Sequence, residues 1–289
     1  MTTAFLHNDM LNLEVAALGA EMQFLRTADG DNLLWHGDAA FWTGRAPVLF
    51  PIVGRAVDDT VEVEGKSAHM PQHGFARRSL FALEQHSPTM CRHLLTDTEE
   101  TRKVYPFAFA LRLTHELIGT TLHVTAEVQN KDTRPMPFGF GFHPAFCWPL
   151  PNAAGVPHRI TLAGGGSPDK RAIEHGLLRP EPLAGPFVDG DLVLRKELFN
   201  DGALVFPNST DALRYGPKSG LALDFQFENL PDLALWQPVG APFICVEPWH
   251  GTASYIADGA EISQRPNAII LAPKEVSTFR YSVTVSGLS

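Results

Sequence analysis

Apolar and polar positions alternate along many short stretches of this chain. In Leu122-His123-Val124-Thr125-Ala126-Glu127-Val128 every second residue is apolar, the period of a strand with one face on a core. The same period runs through Phe107–Leu113, Leu221–Phe227, Leu11–Val15 and the closing Phe279–Val285. These read as antiparallel strands with one wet face, because a buried parallel sheet would show continuous apolar runs. Gly37-Asp38 followed by Ala39-Ala40-Phe41-Trp42 predicts one short capped helical turn. No other stretch keeps a 3.6-residue period. The pattern predicts an all-β chain folded as a large antiparallel β-sandwich.

Composition agrees with many strands and turns. Twenty-four glycines and 23 prolines are spread along 289 residues, and 44% of residues are hydrophobic, enough for a sizeable core. The glycine run Gly164-Gly165-Gly166-Ser167-Pro168 predicts a flexible loop. Candidate site segments lie on both sides of it, so residues 1–289 read as a single domain. A net charge of −9 without any basic run argues against nucleic acid and anionic surfaces as partners. No stretch has the length of a membrane span, and the N-terminus lacks the pattern of a signal peptide. Cys91, Cys147 and Cys245 are odd in number and widely spaced, as expected of reduced thiols in a cytoplasmic protein.

Two polar residues stand out by their neighbours. His143 and Glu247 each precede a proline, in Phe142-His143-Pro144-Ala145-Phe146 and Val246-Glu247-Pro248-Trp249. Proline denies the preceding residue the α region, so both side chains are expected on extended backbone. Glu247 is set among Ile244, Val246 and Trp249, where apolar surroundings raise a carboxyl pKa toward the range of a general base. His143 has the alternative of an ordinary core histidine, although Gly139 and Gly141 predict a close approach by a ligand or another backbone. Trp249 is either core or a flat platform for a sugar ring. Gln72-His73-Gly74-Phe75-Ala76-Arg77 adds a second polar histidine at a tight turn. Arg55 follows an apolar strand end and is either solvated or a planar donor fork for a hydroxyl or phosphate. The ten other histidines lack such a context and read mostly as surface or turn residues.

Taken in order, Val53-Gly54-Arg55, His73-Gly74-Phe75-Ala76-Arg77, His143-Pro144-Ala145-Phe146 and Glu247-Pro248-Trp249 resemble the aldose 1-epimerase, or galactose mutarotase-like, family. The likeness is to its bacterial branch of uncertain substrate, and Leu34-Trp35-His36-Gly37-Asp38 through Trp42 shares it. It extends from about Gly19 to Pro273. The resemblance implies an antiparallel β-sandwich that interconverts the anomers of an aldose without a cofactor. It also implies roles: Glu247 as base, His143 as the acid that protonates the ring oxygen, and His73 and Arg55 as sugar-binding residues. A sugar-gripping aspartate falls on Asp201, with Asp191 and Asp189 as neighbours in an unfixed register. Three other readings stay open. One is a metal enzyme built on His73, His143 and Glu247; another is a non-catalytic sugar-binding protein; the third, a glycoside hydrolase, lacks a second placed carboxyl. Arg45, Arg55, Arg77 and Arg78 keep a sugar phosphate in play as substrate.

Overall fold

In the computed structural model, which describes residues 3–288, every ladder between neighbouring strands is antiparallel. A nine-stranded sheet contains the hairpin Phe109–Ile118/Thr121–Asn130, with Met90–Thr96 on one side and Val276–Ser286 then Ala222–Glu228 on the other. Here the alternation holds as expected: Leu122, Val124, Ala126 and Val128 are buried while the residues between them are half-exposed. A second, eight-stranded sheet contains Asp232–Trp236 and Phe243–His250. The sheets meet through aromatic pairs, Phe140 on Phe279 at 4.7 Å and Phe142 on Tyr281 at 4.8 Å between ring centroids. Each such ring removed from water contributes about 1.5–3 kcal/mol. One apolar cluster runs from Ala4 to Val285.

The second sheet departs from the one-wet-face expectation. Phe243–His250 is buried from Phe243 to Trp249. Ile244 and Val246 point into the main core, while Phe243, Cys245 and Trp249 belong to apolar clusters on the opposite face. That opposite face is where the candidate chemistry lies. A strand covered on both sides loses its alternation, so periodicity alone could not reveal it.

Residues 38–42 form the expected turn, with Asp38 Oδ1 accepting from the Ala40 N–H at 2.8 Å and its carbonyl from the Trp42 N–H at 3.0 Å. The glycine run forms the loop between strands Arg159–Leu162 and Lys170–Glu174. An unanticipated α-helix spans Glu99–Val104. Thr98 caps it, with Glu99 and Glu100 at the positive end of the dipole and Arg102 and Lys103 at the other. Six residues are too few for a periodic signal, and the capping pattern was the readable one. His93, His115 and His158 also differ from the surface placement expected of them, since all three are buried. Among the described residues no helix is long and apolar enough to cross a membrane.

Candidate functional site

His143 sits where the chain breaks between two short strands, Phe140–Phe142 and Ala145–Cys147, that pair in turn with Phe243–His250. Pro144 forces that break. Its carbonyl still accepts from the Val246 N–H at 3.1 Å, and the His143 N–H donates to Pro47 O at 3.1 Å, so the interruption is held from both sides. Gly141 is opposite Trp249 and Ala145 opposite Cys245, which puts His143 level with Glu247 on the same face. Across the other edge Glu247 faces Ala234, whose small side chain leaves the carboxyl room.

His143 Nε2 lies 3.1 Å from Glu247 Oε2, with both side chains almost wholly buried. The contact is close but not aligned as a hydrogen bond: Glu247 Oε2 and His143 Nδ1 both lack a partner among the described residues. Burial pushes the Glu247 carboxyl well above its ordinary value. Burial likewise pulls the His143 imidazole down, to about 3. The directions are opposite for one reason, that each charged form loses water. At this distance a charge on either one would favour the opposite charge on the other, against the effect of burial.

His73 approaches from a turn in which its own φ is 67° and that of Gly74 is 70°. A Cβ on Gly74 would lie 2.2 Å from Phe50 O, so this position accepts only glycine. The Gly54 N–H donates to His73 Nδ1 at 3.1 Å. With Nδ1 accepting, the neutral ring carries its proton on Nε2, which lies 3.2 Å from the side-chain amide of Gln72, itself a cavity residue. Burial first, then the neighbouring His143 and Arg77, lower its pKa and hold it neutral. Gly54 is fixed in turn by buried Arg265, whose guanidinium donates to Val53 O at 2.8 Å, Thr252 O at 3.1 Å and Ser254 Oγ at 2.7 Å. Sequence reasoning missed Arg265, although it precedes Pro266 just as His143 and Glu247 precede their prolines; its polar neighbours Ser263 and Gln264 made it read as a surface arginine.

These groups open into a cavity of about 340 Å³. Three indoles, Trp42, Trp236 and Trp249, wall it. Trp42 stacks on His143 at 4.9 Å, and Trp236 meets the same imidazole edge-on at 5.6 Å. His73 stands 5.6 Å from His143 between ring centroids. Apolar walls with a few converging polar groups are the usual make-up of a small-molecule site.

A sequence profile described as aldose 1-epimerase matches residues 3–284. The chain belongs to that family. Protein LacX (plasmid) of Lactococcus lactis subsp. lactis is 28% identical over 98% of this chain and 99% of its own. A galactose mutarotase related enzyme from Lactobacillus acidophilus superposes with a TM-score of 0.92 at 28% identity, covering 98% of this chain and 97% of the other. A galactose mutarotase-like protein from Lactobacillus casei ATCC 334 gives 0.91 at 26%, over 98% and 100%. The antiparallel fold and the family expected from the sequence are both borne out.

Within this aldose 1-epimerase family member, the remaining candidate residues are dispersed. Arg77 lines the cavity and donates to Gln72 O at 2.8 Å. Arg55 does not line it; its guanidinium is bound to Asp59 at 2.7 Å and to His175 O at 2.9 Å, beside a neighbouring hollow. Asp201 is exposed in a turn, next to cavity residues Gly202 and Ala203. Asp191 pairs with Arg159, and Asp189 is exposed. The donor atoms that come together are those of His143, Cys245 and Glu247, within 4.8 Å of one another, with His73 outside that set.

Proposed function

We propose that this protein is an aldose 1-epimerase whose acid/base pair is His143 and Glu247. The observation that carries the reading is their 3.1 Å approach at the floor of a tryptophan-walled cavity. Glu247 takes the proton of the anomeric hydroxyl while protonated His143 gives its proton to the ring oxygen. The C1–O5 bond breaks and C1 becomes an aldehyde carbon. Rotation about C1–C2 turns the other carbonyl face to the ring hydroxyl. In closure His143 recovers the proton from that hydroxyl and Glu247 returns one to the carbonyl oxygen.

Protons balance throughout, because the pair holds one before and after each step. With a cyclic sugar that proton is on His143; with the open-chain aldehyde it is on Glu247. Burial favours the second placement, since it disfavours both charges. Burial thereby stabilises the form of the pair that accompanies the open-chain intermediate, which is the costly one for the sugar. His73, fixed as a donor at Nε2, supports the oxygen that gathers charge as the ring opens. The indoles supply flat apolar surfaces for the faces of the sugar. Catalysed exchange between α and β anomers, followed by polarimetry, tests the activity; an exchange rate equal to that of buffer alone for every aldose tried would leave a sugar-binding protein as the reading.

Substrate is best read as a free aldose, and one observation favours a phosphorylated sugar as the second reading. Arg45, Arg77 and Arg78 line an adjoining hollow that shares Arg77 and Trp42 with the main cavity. Buried Nε atoms of Arg45 and Arg77 have no partner among the described residues. Planar guanidinium donors suit a phosphate. Comparison of glucose and galactose with their 6-phosphates separates the two readings.

A further inference from the structure

We propose that Cys91, His93 and His115 form a binding site for one monovalent copper ion, separate from the sugar cavity. Cys91 and His93 are two residues apart on the strand Met90–Thr96, and His115 is directly opposite Cys91 on Phe109–Ile118. Residues spaced by two share a face, and opposed residues on paired strands have neighbouring Cβ atoms. All three are buried, and one donor atom of each lies within 4.8 Å of the other two. Leu95, Leu113 and Leu117 share this buried face, and the strand Thr3–His7 packs across it. None of the three residues lines the sugar cavity.

Two independent features point to a ligand. His93 and His115 are 1% and 3% exposed, yet Nδ1 of each is buried with no hydrogen-bond partner among the described residues. Buried imidazole nitrogens are ordinarily satisfied, so this pair asks for something to bind. The thiol also stands where a soft cation would be held by sulfur and nitrogen together.

The choice of ion follows from charge and coordination number. A thiolate and a monovalent cation sum to zero, which an apolar core tolerates, whereas a divalent ion would leave a net charge buried among leucines. Structural zinc takes four ligands, and the described residues offer three, all buried. Monovalent copper accepts three soft donors in a plane. Binding forms one Cu–S and two Cu–N bonds and releases the Cys91 thiol proton to solvent, with no change of oxidation state.

Anaerobic titration of the full-length protein against a chromophoric Cu⁺ chelator tests the site. The expected result is withdrawal of one equivalent of Cu⁺ with release of one proton and a raised melting temperature. Cys91→Ala should bind at least about tenfold more weakly, a difference of about 1.4 kcal/mol. X-ray absorption of the copper-loaded wild type should find one sulfur and two nitrogen neighbours, a readout independent of any variant's folding. Failure of the wild type to withdraw Cu⁺ would overturn the proposal. So would undiminished binding by Cys91→Ala, or a shell containing one sulfur, one nitrogen and one oxygen, which would assign the ion to Cys245, His143 and Glu247 instead.

Discussion

Trp249 lies so close over Gly141 that a Cβ added to the glycine would stand 2.4 Å from the indole Cδ1. The two residues are partners in the antiparallel register of the strands carrying His143 and Glu247. The absence of a side chain on one strand therefore sets the height of a cavity wall on the next.

Gly141→Ala should displace that indole. Overpacking of this kind costs about 1–3 kcal/mol. Urea denaturation should show that loss, and KM for the sugar should rise with kcat less affected, because the platform moves while the acid/base pair stays. A KM equal to wild type in a destabilised variant would mean Trp249 does not contact the substrate.

Arg265 should behave as a clamp. Arg265→Met removes charged donors from the carbonyls of Val53 and Thr252 and from Ser254 Oγ. Hydrogen bonds to charged groups are worth about 1.5–3 kcal/mol each, and their acceptors would be left buried. The expected outcome is a loss of stability of at least about 3 kcal/mol, together with weaker sugar binding as Gly54 releases His73. Arg265→Lys should recover little, since one ammonium replaces the two guanidinium nitrogens that reach these acceptors. Wild-type stability in either variant would contradict the clamp.

The antiparallel fold was legible because the nine-stranded sheet has one apolar face, and Leu122 to Val128 declare it. The candidate pair was legible for a different reason: a proline after His143 and another after Glu247 leave local marks. Trp42 could be seen in the resemblance but not as the ring stacked on His143, since stacking joins residues a hundred positions apart. Arg55 shows the limit in the other direction. Its segment fits the family pattern, yet Asp59, four residues on, holds the guanidinium away from the cavity lining. His93 and His115 had a signal that the polarity of histidine masked: His115 continues the alternation of Phe109, Leu111 and Leu113, and His93 falls between Cys91 and Leu95 on the buried face.

Buried neutral histidines make stability depend on pH. His115 is held down to about 3 by burial, against an ordinary value of 6.5. Between those values the unfolded chain binds a proton that the folded chain does not, so stability must rise with pH across that window and fall on acidification. At pH 5 the loss from His115 is about 2 kcal/mol relative to neutral pH. Urea midpoints of metal-free protein at pH 7 and pH 5 measure it, and His115→Leu should lose that share of the pH dependence. An unchanged slope in the variant would mean that His115 is protonated in the folded state.

Divalent metal is not part of the proposed chemistry. Anomer exchange should survive exhaustive chelation at an unchanged rate, because acid and base are both side chains. Loss of activity restored by a single divalent ion would instead make His143, Cys245 and Glu247 its ligands.

The acid/base claim also fixes the form of the pH profile. Catalysis requires the pair to hold one proton, so kcat/KM should fall both where it gains a second and where it loses the first. His143→Asn leaves Glu247 alone and should reduce the bell to a single limb that rises with pH. A variant that keeps both limbs would remove His143 from the titrating unit.

The most direct measurement is the anomer exchange rate, by NMR exchange spectroscopy, of the wild type, Glu247→Gln and His143→Asn on one active aldose. Each substitution removes a positioned proton donor or acceptor, a contribution of about 10²–10⁴-fold. The account predicts that each folded variant loses at least about 10²-fold in kcat. Exchange at close to the wild-type rate in both variants would contradict it.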